Sequence, residues 1–365
     1  MESTVELRKA HVGFEMVQKL ILELYGLTVI KSSELNGYDD RNFLIKVDPQ
    51  NIDNNEHIVK VEVEGYVFKV INTLDSVEVT RFEAQGRLMV FLHEHNINCP
   101  APVLTKRGRT FDTILRPTGE HIVLLLKFIP GEILYKMSNF TDHVFFQVGS
   151  LAARIDTVLK EFDHRAYRKP VQWCLGASPN VLNYLHAIDE SKRSMVETVI
   201  EDFKNNVLAI ENRLEKGIIH GDINEQNLIM STGDEAKGIQ LKAVIDFGDT
   251  HYCCFLYELA LAMTYMIFLT DNPEVGGHVL AGYASVRNVS KAEIRLLKTC
   301  IMARLCQSLV LGAYGSLTDP NNEYLLTTSK KGWDILDKLR NIDNDDILVN
   351  CWLDAAKKYY IYFGS

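Results

Sequence analysis

The sequence predicts an α+β fold in two lobes, β-rich over residues 1–126 and mostly helical over 127–365. Three observations carry this expectation. At 365 residues the chain exceeds what one simple core organises. Strand-type runs, β-branched and aromatic with partial alternation, crowd into the first third. Beyond Pro130-Gly131 the apolar spacing turns helical and stays so, apart from two short strand-like interruptions.

Taken in order, Asn42–Val47 (NFLIKV) and Val59–Asn72 (VKVEVEGYVFKVIN) read as strands, with the polar run DPQNIDNNEH between them as a turn connection. A helix is predicted over 77–95, its buried face carried by Phe82, Leu88, Met89 and Leu92. His121–Ile129 (HIVLLLKFI) is a third strand region, stopped by Pro130-Gly131. Helices are then predicted over 140–161, 179–216, 252–270, 291–316 and 320–340. Ser178-Pro179 and Asp319-Pro320 each read as a capping residue followed by proline at the first helical position. Gly217–His220 with Leu228–Met230, and Leu241–Asp246, are the strand-like interruptions.

Composition narrows the class. Apolar residues make up 47% and charged residues 24%, as in ordinary globular proteins. A formal charge of −9 argues against a general nucleic-acid or membrane-surface role. It suits a cationic small-molecule substrate, as it suits most cytosolic proteins. Seven cysteines (Cys99, Cys174, Cys253, Cys254, Cys300, Cys306, Cys351) are scattered and lack any CxxC pair. They read as reduced thiols of a cytoplasmic protein rather than a disulfide framework or zinc site, and the adjacent Cys253-Cys254 pair as ordinary burial. No apolar signal segment opens the sequence. The most apolar stretch, Cys253–Leu269, is shorter than a bilayer span and carries Glu258, so no membrane span is expected.

The chemistry concentrates in two places. Ile219-His220-Gly221-Asp222-Ile223-Asn224-Glu225-Gln226-Asn227 follows one apolar strand, and Ala243-Val244-Ile245 runs into Asp246-Phe247-Gly248-Asp249 at the end of another. Phosphoryl transfer from a nucleotide asks for a carboxylate beside the attacking hydroxyl and for oxygen ligands that hold Mg²⁺ against the phosphates. Asp222 suits the first task, Asn227 and Asp246 the second. The Asp-x₄-Asn spacing and the Asp-Phe-Gly triplet are those of protein kinases. Turn-forming Asp and Asn would explain either motif alone. Together, in this order and each after an apolar strand, they point to catalysis.

A nucleotide clamp is expected upstream. In Tyr66–Ile71, alternation places Val67, Lys69 and Ile71 on one face, and a lysine among buried neighbours calls for an anion such as phosphate. On the helix that follows, Gln85 shares the buried face with Phe82, Met89 and Leu92 and would orient Lys69, whereas Glu83 points elsewhere. Asn36–Asp40, with Tyr38 and Asp39, is placed to cover phosphates ahead of the first strand. The run Leu124–Ile129, with Lys127 and Phe128, would offer backbone groups to the base.

These residues resemble the aminoglycoside phosphotransferase and choline kinase superfamily, which implies a protein-kinase-like fold, Mg²⁺ and a nucleoside triphosphate donor. Longer stretches, Gly37–Phe43, Tyr66–Asn72, His220–Ile229 and Cys306–Val310 onward to Gly332-Trp333, are similar to a subgroup acting on 5-hydroxy-L-lysine. That resemblance spans about residues 10–360. It implies GTP as donor, with ATP left open, and the side-chain hydroxyl as acceptor, with 5-phosphohydroxylysine as product. It also implies that Gln85 stands where the superfamily has glutamate.

An acceptor with two ammonium groups and one carboxylate needs carboxylates and an arginine near the catalytic loop. Asp249 and Glu258 are the acidic candidates and Arg304 the basic one. A backbone brace for Glu258 and a buried ion pair for Arg304 remain open alternatives. So do other acceptors (choline, ethanolamine, homoserine, an aminoglycoside), a non-catalytic nucleotide-binding scaffold, and a protein kinase. The protein-kinase reading is disfavoured because no activation segment follows Asp249. Oligomeric state is left open.

Overall fold

Amphipathic spacing opens the chain: α1 (Phe14–Tyr25) buries Val17, Leu20, Ile21 and Tyr25 and stops at Gly26. A computed structural model describes residues 8–37, 39–231, 238–318, 329–342 and 344–363, which fall into two units divided after Pro130. In the first unit α1 is followed by β1 (Leu27–Leu35), β2 (Arg41–Ile52), β3 (Tyr66–Val70), α2 (Thr73–Ser76), α3 (Val79–Glu94), β4 (Pro102–Val103), β5 (Asp112–Arg116) and β6 (Gly119–Lys127). The strands form one antiparallel sheet in the order β1-β2-β3-β6-β4, with β5 also paired to β6. Its core gathers α1 with Phe43, Ile45, Tyr66, Phe68, Val70, Val123 and Leu125.

Two expectations for this unit are corrected. The predicted strand 59–72 shrinks to β3. Val59 and Val63 are 95% and 79% exposed, and no neighbouring strand pairs residues 59–65. The polar run after Val47, read as a turn, instead continues β2 as far as Ile52. There Leu27 pairs Ile52 across a bulged register. A partner strand satisfies the backbone whatever the side chains prefer.

The second unit carries β7 (Glu132–Ile133), α4 (Asp142–Leu159), a 3-10 helix at Leu175–Ala187, α5 (Glu190–Asn206), β8 (Lys216–Ile219), β9 (Leu228–Ser231), β10 (Gln240–Val244), β11 (His251–Cys254), α6 (Phe255–Thr270), α7 (Gly276–Ala284), α8 (Lys291–Thr318), α9 (Ser329–Arg340) and α10 (Asp345–Lys357). The predicted helix 179–216 breaks into the 3-10 segment, α5 and a further 3-10 turn. Pro179 lies inside the first of these, not at a helix start, because the winding has already begun at Leu175. Asp319-Pro320 lies outside the described residues. Residues 252–254 pair with β8 as strand before α6 begins, while α7 and α10 were not anticipated.

The helices α4 and α7 cross with their backbones in contact. A Cβ on Gly149 would overlap the carbonyl of Val279, and one on Gly282 that of Phe146. Tyr283 Oη donates to Asp156 Oδ2 at the same crossing. The apolar helix α8 is long enough to cross a membrane, yet 83% of that stretch is buried inside the unit, as in a core helix.

Candidate active site

Two strand pairs build the site. The loop 220–227 leaves β8 and enters β9, and the loop 245–250 leaves β10 and enters β11. Because β8 pairs β11 and β9 pairs β10, both loops start and end at the same two ladders. Ile245 N donates to Asn227 O at 2.8 Å and ties them directly.

His220 organises the first loop. It is fully buried, and burial pushes its pKa down to about 4, so the ring is neutral at ordinary pH. Asp222 N donates to Nδ1 at 3.2 Å, which leaves the proton on Nε2 for the carbonyl of Ile245, also at 3.2 Å. The ring also meets Phe247 edge-on, 4.7 Å between centroids. Gly221 has φ +81, and a Cβ there would sit 2.5 Å from Asp249 O. Asn224 Oδ1 closes the loop by accepting from Gln226 N and Asn227 N at 2.8 and 3.0 Å.

Asp222 therefore projects from a braced turn with its side chain 21% exposed. Asn227 Nδ2 donates to Asp222 Oδ2 at 2.7 Å and to Asp222 O at 3.0 Å. That spends the amide and leaves Asn227 Oδ1 as the oxygen able to meet a cation. Burial raises the Asp222 pKa above the usual carboxylate range, against the opposing pull of Arg304 and of Asn224. Asp246, at φ +65, is exposed, and Gly248 N donates to its Oδ1 at 3.2 Å. Asn227 Oδ1 and the Asp246 carboxylate are oxygen donors of the kind a hard divalent cation takes.

Arg304, from α8, is 2% exposed and largely committed. Its Nε donates to Tyr265 Oη at 3.1 Å, and its Nη1 to Trp173 O at 2.9 Å and Gln307 Oε1 at 3.0 Å. Only Nη2 turns to Asp222, 3.6 Å from Oδ1. This geometry is that of a buried partner to Asp222 rather than a fork presented to an acceptor carboxylate. Beyond Gln307 a cavity of about 250 Å³ opens, bounded by Gln172, Asn180 and Tyr184 among others.

Glu258 likewise sits behind the loop. It is fully buried on α6, and Gly221 N donates to its Oε2 at 3.0 Å. Burial lifts its pKa to about 7. The same cause lifts Glu225, also buried, to about 7. Asp249 is half-buried, and its carbonyl accepts from His251 Nδ1 at 2.6 Å.

A pH prediction follows from Glu258. Its folded-state pKa lies above its unfolded value, so folding favours the protonated form, and this contribution to stability declines as pH rises from about 5 through 7. The Tm of Glu258→Gln, which keeps the acceptor oxygen, should match wild type near pH 5 and exceed it at pH 8. A difference that stays constant across this range would rule out the ionisable brace.

In the first unit, the face of β3 that enters the core is Tyr66, Phe68 and Val70, while Lys69 and Val67 lie on the opposite, half-buried face. On its own face Lys69 has half-buried Val67 and buried Ile71, and it pairs Asn42 on β2 and the buried Leu124 on β6. Gln85 is half-buried and Glu83 exposed, and the buried residues of α3 are Ala84, Gly86, Leu88, Met89 and Leu92. Tyr38 lies outside the described residues. Asp39 is half-buried in the β1–β2 connection, which follows the first strand rather than preceding it. The residue that anchors this connection is Asp40, the last of the run Asn36–Asp40, whose Oδ1 accepts from Asn72 N at 2.8 Å. Lys127 N and Phe128 N already donate to Ala101 O and Gly65 O at 2.9 and 3.0 Å, so neither amide is available to a base. The Lys127 side chain pairs with Glu62 at 2.7 Å.

Residues 36–296 match the model of a family described as phosphotransferase enzymes. The chain belongs to the phosphotransferase enzyme family. Within this family it is 32% identical to the hydroxylysine kinase of Xenopus laevis, over 96% of each chain. It is 31% identical to that of Danio rerio, over 96% of this chain and 98% of the relative. Among solved structures, a microcompartment-associated aminopropanol kinase superposes with a TM-score of 0.63 at 17% identity, covering 95% of this chain and 98% of that one. The fold is protein-kinase-like, and this family member is a phosphotransferase with an alcohol group as acceptor, a small-molecule kinase for a hydroxylated substrate.

Proposed function

We propose that the protein transfers the γ-phosphoryl group of GTP to the side-chain hydroxyl of 5-hydroxy-L-lysine, giving 5-phosphohydroxylysine in the cytoplasm. The observation that carries this reading is the near full-length similarity to hydroxylysine kinases. GTP is the donor that the sequence resemblance implies, with ATP as its alternative.

In this reading Asp222 accepts the proton of the attacking hydroxyl. Its raised pKa makes it a better base than a solvated carboxylate, and Asn227 and Arg304 fix its orientation. Asn227 and Asp246 would hold Mg²⁺, which when bound neutralises charge on the nucleotide phosphates. Lys69, from β3, would meet a phosphate oxygen. His220 and Glu258 keep the loop backbone in place behind Asp222. Asp249 and the cavity beside Gln307 supply the acceptor side, where the ammonium groups seek carboxylate and carbonyl oxygens. The retention of Lys69, Asp222, Asn227 and Asp246 together weighs against a non-catalytic scaffold.

The test is nucleoside diphosphate release with Mg²⁺ and GTP or ATP, against 5-hydroxylysine, lysine, choline, ethanolamine, homoserine and kanamycin. Release with 5-hydroxylysine but not lysine is the expected result. Turnover confined to another acceptor would replace the substrate assignment. Asp246→Ala should lower Mg²⁺-dependent nucleotide affinity by at least about 10-fold, the scale on which even outer partners of a metal act. Affinity measured by calorimetry that is unchanged in the presence of Mg²⁺ would remove Asp246 from that role.

A further inference from the structure

We infer that Cys174, His251 and Cys253 form a binding site for a thiophilic divalent cation of the zinc class, separate from the oxygen donors Asn227 and Asp246. Sequence spacing gave no hint of it, because Cys174 is remote in the chain and no CxxC pair exists. Folding brings the three together. His251 and Cys253 are two apart on β11, so strand alternation turns both to one face, while Tyr252 between them is 37% exposed. Cys174, at the start of the 3-10 helix, meets that face, and its Sγ lies 3.4 Å from the Sγ of Cys253. The two sulfurs and a ring nitrogen of His251 lie within 4.8 Å of one another. Zinc bonds of about 2.3 Å to sulfur and about 2.0–2.1 Å to nitrogen, at tetrahedral angles, place ligand atoms about 3.5–3.8 Å apart. Small side-chain rotations reach that spacing.

The histidine is set up for this role. His251 is 2% exposed, and its Nδ1 donates to Asp249 O at 2.6 Å. The Nε2 lone pair is therefore exposed to the protein interior, and Nε2 is buried with no hydrogen-bond partner. A ligating histidine whose other nitrogen donates to a backbone carbonyl is the usual arrangement around zinc. A cation would satisfy an acceptor that the fold otherwise leaves unmet. Three protein ligands leave a fourth position for water or a small thiol, and the partly exposed Cys174 marks the route in. The Nδ1–Cε1 edge of His251 packs on Gly221, so the site abuts the loop that carries Asp222.

The experiment uses the full-length reduced protein, stripped with a chelator and titrated anaerobically with Co²⁺. A thiolate-to-cobalt charge-transfer band with intense visible d–d transitions should saturate at one equivalent, be bleached by Zn²⁺ and persist in excess Mg²⁺. Cys174→Ser and Cys253→Ser should each abolish the charge-transfer band, and Cys254→Ser, whose sulfur faces Glu211, should keep it. Far-UV circular dichroism confirms that each variant is folded. Three results would overturn the site: no thiolate band in wild type, a band undiminished in both cysteine variants, or peptide maps showing Cys174 crosslinked to Cys253 in the protein as purified under reducing conditions.

Discussion

Asp222→Ala is expected to lower phosphoryl transfer by about 10²–10⁴-fold, the contribution of a positioned general base, while nucleotide affinity stays near wild type. The variant loses the carboxylate but not the loop: Asn227 Nδ2 still donates to Asp222 O, and His220 still accepts from the backbone at 222. Two effects on stability oppose each other. Removing a carboxylate whose pKa is raised by burial relieves desolvation, and removing it also leaves Arg304 without its acidic neighbour. Asp222→Asn separates charge from shape, because its carbonyl oxygen can still accept from Asn227. Both variants should show this loss in single-turnover assays while keeping folded circular dichroism spectra. Near-full turnover in either would mean that another group takes the proton.

The second large effect is expected at Gly221. Its φ of +81 lies where side chains strain the backbone, and an alanine Cβ would stand 2.5 Å from Asp249 O and 2.9 Å from the His251 ring. Neither neighbour can retreat freely. Asp249 O is held by His251 Nδ1, and His251 belongs to a paired strand. Gly221→Ala should cost about 2–4 kcal/mol, lowering Tm by roughly 5–15 °C for a unit of this size, and should depress kcat more than the nucleotide KM. Gly238→Ala is the control. It is also left-handed, at φ +65, but has nothing within 4 Å of the added carbon, so it carries the backbone strain without the overlap. Equal losses in the two variants would show that the close approach to Asp249 is unimportant.

The geometry of the loop 220–227 was readable because it is local. His220, Asp222 and Asn227 sit within one loop, and their spacing alone places a carboxylate and an amide on one turn. Lys69 lies on the strand expected for it, and of the two neighbours expected to be buried Ile71 is and Val67 is only half-buried. Alternation said that it shares a face with Val67, yet not which face meets α1, and that depends on pairing across the sheet. Strand β1 escaped notice because KSSEL lacks an apolar rhythm. Arg304 and Glu258 were singled out as charges in apolar helices, which is sound, but their partners are long-range. A guanidinium facing Trp173 and Tyr265, and a carboxylate under Gly221, follow only from how α6 and α8 pack. The same limit hid Cys174 from His251.

The glycine crossing of α4 and α7 bears on the order in which the molecule assembles. The two helices are distant in the chain, at 142–159 and 276–284, and the segment between them contains both loops of the site. Their backbones touch without intervening side chains, so the crossing offers no loosely packed version that could form early and tighten later. Closing so long a segment is slow, because its entropy is lost before the contact is gained. A chain emerging from synthesis would hold residues 220–250 without this closure until α7 has followed. Catalytic competence should thus arrive after most of the secondary structure, and a chain ending before Gly276 should have the loops but not the activity.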